Sequence, residues 1–169
     1  MIEFTIDQYD SPIGSITLLG FEGELVYLDF SENDRRLDRL MSQRYGGHTL
    51  KSRGRWNDMH QRMDRYFEKD WGAFDGLALN PKGTRFQQRV WEKLQAIGPG
   101  STASYSDLAE SVGNPKAIRA AASSNARNPI AIIIPCHRVI GKDGALRGYA
   151  GGEHRKRWLL EHEGWSFSG

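Results

Sequence analysis

Cysteine occurs once in the 169 residues, as Cys136. One thiol excludes an internal disulfide, fits a reducing compartment and leaves a free sulfur to be explained. The five histidines, His48, His60, His137, His154 and His162, do not combine with it at the spacing of a structural zinc site, so no metal is expected. No apolar run approaches the length of a membrane span. A secretory leader is also missing, since Glu3, Asp7 and Asp10 stand where a basic segment belongs, and a cytoplasmic location is expected. Internal repeats and low-complexity tracts are absent. The glycine-rich stretch Gly148-Tyr149-Ala150-Gly151-Gly152 lacks the Lys-Ser or Lys-Thr ending of a phosphate loop, so no nucleotide cofactor is expected.

What remains is a globular chain with 38% hydrophobic and 26% charged residues, long enough for one domain or a small one beside a larger one. Its charge is divided unevenly. From residue 81 onward there are thirteen Lys plus Arg against seven Asp plus Glu, whereas residues 1–80 carry ten against fourteen. The second part is therefore the candidate polyanion-binding face, although an ordinary asymmetry of solvated charge gives the same count.

Residues 2–30 alternate short β-rich runs with turns, which predicts a small antiparallel sheet of hairpins. Helices follow at about 32–45, with Ser31 and Asp34 as its cap, and at about 56–69. Trp56, Tyr66, Phe67 and Trp71 read as packing residues. Gly72, Gly76, Pro81 and Gly83 mark a linker over 70–83. Thr84 and Gln87 then form a capping box for a helix to about Ala96, with Phe86, Val90, Trp91 and Leu94 on one face. A short helix at 104–112, the stop Gly113, the cap Asn114-Pro115 and a helix at 116–127 make the outline of a helix-turn-helix. The second of these carries Ala120, Ala121, Ala122, Ser123 and Ser124 around Arg119. Small residues suit close approach to a DNA groove and equally suit tight internal packing. A last helix is expected at 153–163, with Trp158, Leu159 and Leu160 inward.

The chemistry concentrates at Asn128-Pro129-Ile130-Ala131-Ile132-Ile133-Ile134-Pro135-Cys136-His137-Arg138-Val139. The apolar run 130–134 reads as a buried strand that mounts Cys136 on a proline-stiffened bend. His137 and Arg138 supply a base and a positive charge to a thiol nucleophile. A small apolar residue closing a core strand is the bland alternative for a lone cysteine.

The run Pro135-Cys136-His137-Arg138-Val139, with Asn128-Pro129 before it and the glycine-rich loop 148–152 after it, resembles the active-site signature of the O6-alkylguanine-DNA alkyltransferases. The match extends over most of residues 81–164; the N-terminal half matches in length and rough pattern. The resemblance implies an α+β fold, with a structural sheet-plus-helices lobe at 1–80 and a mainly helical DNA-binding and catalytic domain at 81–169. It further implies repair of O6-alkylguanine in double-stranded DNA by irreversible transfer of the alkyl group to Cys136, once per molecule. No cofactor is implied, because the sulfur accepts the group. In this pattern Glu163 orients His137, the general base, Asn128 fixes the active-site turn, and Tyr105 assists flipping and hydrogen-bonds the guanine. Arg119 fills the gap left by the flipped base. Ala120, Ser123 and Arg138 join Arg119 and Tyr105 at the DNA, and Val139, Tyr149, Ala150 and Gly151 line the pocket. A monomer is expected in solution, with clustering on DNA left open. One departure stands out: Ala121-Ala122-Ser123-Ser124-Asn125 replaces a valine-glycine start common in the family, with Arg119 and Asn128 still in register. A cysteine hydrolase using Cys, His and a carboxylate would instead turn over, and a noncatalytic helix-turn-helix sensor would be indifferent to thiol alkylation.

Overall fold

The structure, a computed structural model, describes residues 1–166. It divides into two compact units, Met1–Lys82 and a second beginning at Gly83.

In the first unit, β1 (Ile2–Ser11), β2 (Gly14–Phe21) and β3 (Glu24–Phe30) form the expected antiparallel hairpins. A fourth strand, β4 (His48–Ser52), pairs parallel with β1, so the sheet is mixed and ordered β3-β2-β1-β4. That pairing was not expected, because His48 to Ser52 has four exposed residues of five and none of the apolar alternation that marks a half-buried strand. Between β3 and β4 runs α1 (Asp34–Tyr45), and α2 (Asn57–Phe67) follows. Strand alternation puts Ile2, Phe4 and Ile6 of β1 on one face, where they pack with Leu37, Leu40 and Met41 of α1. Asp7 and Tyr9 point the other way, to α2: Tyr9 Oη donates to Asp64 at 2.6 Å, and His60 Nε2 lies 2.9 Å from Asp7 Oδ2. Both faces are covered, so β2 and β3 are buried almost continuously from Ile16 to Gly20 and from Leu25 to Phe30. Ser31 does not cap α1; its hydroxyl is taken by Ser15 and Thr17 across the hairpin. Trp71 sets its ring edge-on to Tyr66 yet stays 40% exposed.

The second unit is mainly helical. Thr84 and Gln87 make the expected capping box for α3 (Arg85–Gln95), which buries Val90, Trp91 and Leu94. A second box, Ser104 with Asp107, starts α4 (Tyr105–Ser111). Gly113 at φ +83° ends that turn, and α5 (Ile118–Ala126) begins later than expected: Asn114 accepts only a turn hydrogen bond from Ala117 N, and no side chain caps the helix. Two-residue strands β5 (Ala103–Ser104) and β6 (Val139–Ile140) pair in parallel. The chain closes with α6 (Glu153–His162).

The run 130–134 is not a strand. Ile134 N bonds back to Ile130 O at 3.1 Å, and Ile132 takes φ +70°, a left-handed conformation unfavourable for a β-branched residue. Asn128 holds the turn shut from inside: its Nδ2 donates to Ile134 O at 2.7 Å and its Oδ1 accepts from Ile130 N at 3.0 Å. Its continuous apolar character marked the run as buried, which it is except for the half-buried Ile133, and carried no information on how its backbone polar groups are satisfied.

Ser104→Ala removes the acceptor for Asp107 N beside the β5–β6 pair and is expected to destabilise the second unit by about 1 kcal/mol, read as a lower urea midpoint with an unchanged slope.

Candidate active site

Cys136 begins a 3₁₀ turn, Cys136–Arg138, entered from Pro135 and closed by Val139 N on the Cys136 carbonyl. It is buried, with 8% of the residue exposed. The expected bend after Pro135 is thus a 3₁₀ turn, although no strand leads into it.

His137 is fully buried. Its Nε2 meets Glu163 Oε2 at 2.9 Å, while Nδ1 is buried and meets no protein hydrogen-bonding group among the described residues. Glu163, just past the end of α6, also receives Arg138 Nε at 2.8 Å and Nη2 at 2.9 Å. Arg138 Nη1 reaches Ile97 O at 2.5 Å. Arg138 is therefore buried and bonded to the carboxylate, an orientation that sequence does not reveal, since a basic residue next to a nucleophile reads the same whether it faces out or in. Burial alone would raise the Glu163 carboxyl, but His137 and Arg138 reverse this and hold it at about 2. Burial pushes the His137 imidazole down, against the pull of Glu163, and Arg138 and Lys156 push it further. A neutral ring against an ionised carboxylate results, with Nδ1 as its basic atom.

Tyr105 comes to the site through the β5–β6 pairing, which sets Ala103 opposite Val139 and Ser104 opposite Ile140. Its hydroxyl donates to Arg147 O at 3.1 Å, and burial, followed by the charge of Cys136, raises its pKa. Gly148, at φ +80°, is needed here: a Cβ would sit 3.0 Å from Tyr105 Oη. Tyr149 is half-buried with its ring 6.4 Å from that of His137, Ala150 is exposed, and Gly151 and Val139 are buried. On α5, Arg119 and Ala120 are exposed whereas Ala121 and Ser124 are buried, and Trp91 Nε1 donates to Ser124 O at 2.9 Å. The small residues thus serve internal packing on one face, leaving an open face around Arg119. Ser123 is half-buried and accepts from Arg127.

Lys156 was missed. It is fully buried, and its Nζ donates to Val139 O at 2.5 Å and Arg147 O at 2.9 Å. Burial lowers its pKa to about 8, against the opposing pull of Cys136 and then Glu153. A lysine three and four residues before Leu159 and Leu160 lies on their face of α6, and that spacing was the available signal. Among the described residues no three His, Cys, Asp or Glu side chains gather as metal ligands do.

A buried ammonium facing a thiol favours the thiolate. Lys156→Met is expected to move the pH at which Cys136 becomes reactive upward, read from the pH dependence of iodoacetamide alkylation; an unmoved midpoint would leave Lys156 a loop anchor only. For Glu163 the folded pKa lies below the ordinary value of 4.5, so its stabilisation is complete above that value and is lost as pH falls towards 2. The loss is about 3 kcal/mol by linkage, and Glu163→Gln should flatten the acid limb of a stability-against-pH curve.

The comparisons with known proteins agree with this geometry. The profile of the 6-O-methylguanine DNA methyltransferase DNA binding domain matches residues 85–165, and that of the ribonuclease-like domain of the same family matches residues 6–81. A methylated-DNA--protein-cysteine methyltransferase of Methanosarcina acetivorans is 40% identical over 92% of this chain and 96% of its own. One from Salmonella typhimurium is 35% identical over 98% of both. The Mycobacterium tuberculosis OGT, solved in complex with DNA, superposes with a TM-score of 0.76 at 38% identity, covering 96% of this chain and 92% of that one. With both units matched in order over nearly the whole length, the chain belongs to the O6-methylguanine DNA methyltransferase family.

Proposed function

We propose that the protein reverses O6-alkylguanine damage in double-stranded DNA by moving the alkyl group to Cys136. The observation that carries this reading is the line Cys136, His137, Glu163: a nucleophile at the surface of a buried charge network, followed by a neutral imidazole whose far nitrogen is fixed by an ionised carboxylate. A relative with the same fold has been solved in complex with DNA, and the net positive charge of the second unit suits a polyanion.

In this reading the damaged nucleotide leaves the stack, at a cost of roughly a few kcal/mol, and α5 enters the minor groove with Arg119 filling the gap. Close approach is open to it because Ala120, beside Arg119, projects only a methyl group. His137 Nδ1 takes the Cys136 proton, through one water. The thiolate attacks the alkyl carbon, a sulfur–carbon bond forms, and the carbon–O6 bond breaks with its electron pair left on the guanine. Tyr105 donates a hydrogen bond or its proton to that leaving base. Lys156 supports the thiolate beforehand. Val139, Tyr149, Ala150 and Gly151 shape the pocket, Val139 through its backbone. The thioether product is stable and no second nucleophile is placed to remove it, so each molecule acts once. The protein works as a monomer in the cytosol, where Cys136 stays reduced.

Intact-mass measurement after incubation with a duplex carrying one O6-methylguanine should show one methyl group, mapped to Cys136 and saturating at one per protein. Cys136→Ser should still bind the duplex and transfer nothing. Repaired DNA beside unmodified protein would overturn the reading in favour of a turnover enzyme.

A further inference from the structure

Residues 141–147 form a tight loop between β6 and the glycine-rich stretch 148–152. Gly141 N bonds to Ala145 O at 3.0 Å and Gly144 N to Gly141 O at 2.9 Å. Asp143 serves this loop with one oxygen and Arg147 with the other: Oδ1 accepts from Ala145 N at 3.0 Å, and Oδ2 accepts from Arg147 Nη2 at 3.0 Å. Both side chains of the ion pair are open to water, at 71% for Arg147 and 65% for Asp143. The backbone of Arg147 is in a different position, since its carbonyl receives both the Tyr105 hydroxyl and the buried Lys156 ammonium. The guanidinium is also close enough to lower the Tyr105 pKa, against the larger effects of burial and Cys136 that raise it. A well-anchored backbone thus holds a solvated cation near the Tyr105 hydroxyl, paired with one exposed carboxylate.

Such a pair is weak. Two exposed, solvated groups gain little from each other, so a stronger anion displaces the carboxylate readily. A flipped nucleotide supplies one: when a base occupies the pocket, the phosphates on either side of its sugar are carried to the pocket mouth. A guanidinium matches phosphate in a forked, two-bond geometry. We propose that Arg147 exchanges Asp143 for a backbone phosphate of the flipped nucleotide, so that this contact forms with the extruded lesion and not with an unopened duplex. The inference rests on the base-flipping reading above and deepens it. Arg147 is a DNA-binding residue here, outside the transfer chemistry.

The experiment uses the full chain and two 20-base-pair duplexes, identical except for one O6-methylguanine, and measures dissociation constants across a salt series with single-turnover transfer rates at saturating DNA. Arg147→Ala should weaken binding to the lesion duplex about tenfold while changing the undamaged duplex much less, and should reduce the salt slope on the lesion duplex by about 1. Asp143→Asn keeps the Oδ1 acceptor for Ala145 and removes the charge, so it should tighten the lesion duplex a few-fold, and that gain should vanish when Arg147→Ala is added. Equal weakening of both duplexes by Arg147→Ala would overturn the proposal, because it would make Arg147 an ordinary surface cation. Persistence of the Asp143→Asn gain without Arg147 would also overturn the exchange, reducing it to relief of general repulsion. Absence of transfer by the wild-type protein would instead strike the proposed function itself, and is read in the same assay.

Discussion

A carboxylate buried between an imidazole and a guanidinium sets the terms for the second unit. Glu163 accepts three hydrogen bonds, one from His137 and two from Arg138, and an ionised carboxylate withdrawn from water is tolerated only with such company. The constraint acts outward. The 3₁₀ turn must present residues 137 and 138 to one point, α6 must end at that point, and Cys136 is then left at the turn's outer edge. Gly100 belongs to the same constraint: it lies so close to the Glu163 carbonyl that a Cβ there would stand 3.0 Å from the oxygen.

Around this network several pieces of the unit are joined by hydrogen bonds to backbone groups. Asn128 closes the turn that precedes Pro135, the pairing of β5 with β6 carries Tyr105 alongside the nucleophile, and Lys156 binds β6 to the pocket loop through two carbonyls. Lys156 joins packing to chemistry directly. An ammonium with no carboxylate bonded to it is costly to bury, and a thiolate at Cys136 offsets part of that cost.

The first unit shows how elements can be visible in sequence while their arrangement is not. Hairpin spacing and turn glycines located β1 to β3, and three- and four-residue periodicity located α1 and α2. The parallel partner of β1 had no such mark. His48 to Ser52 is polar and mostly exposed, and it is a strand because an unpaired edge of β1 was there to receive it. Local hydrogen bonds of the same kind explain Ser31, whose hydroxyl had better partners across the hairpin than at the start of a helix.

Much of the candidate site was readable because its chemistry is local. Cys136, His137 and Arg138 are consecutive, Asn128 belongs to the same stretch, and the capping pair Thr84 with Gln87 is a short-range pattern with one physical use. Glu163 and Tyr105 came from family resemblance, since no spacing rule links residues 26 or 31 positions from their partners. Tertiary structure alone decided that the isoleucine run turns back on itself, that Arg138 faces inward, and that the Arg147 carbonyl receives both Tyr105 and Lys156. Each depends on which neighbour satisfies a polar group once water is excluded. Sequence determines which groups must be satisfied, and the folded chain determines by what.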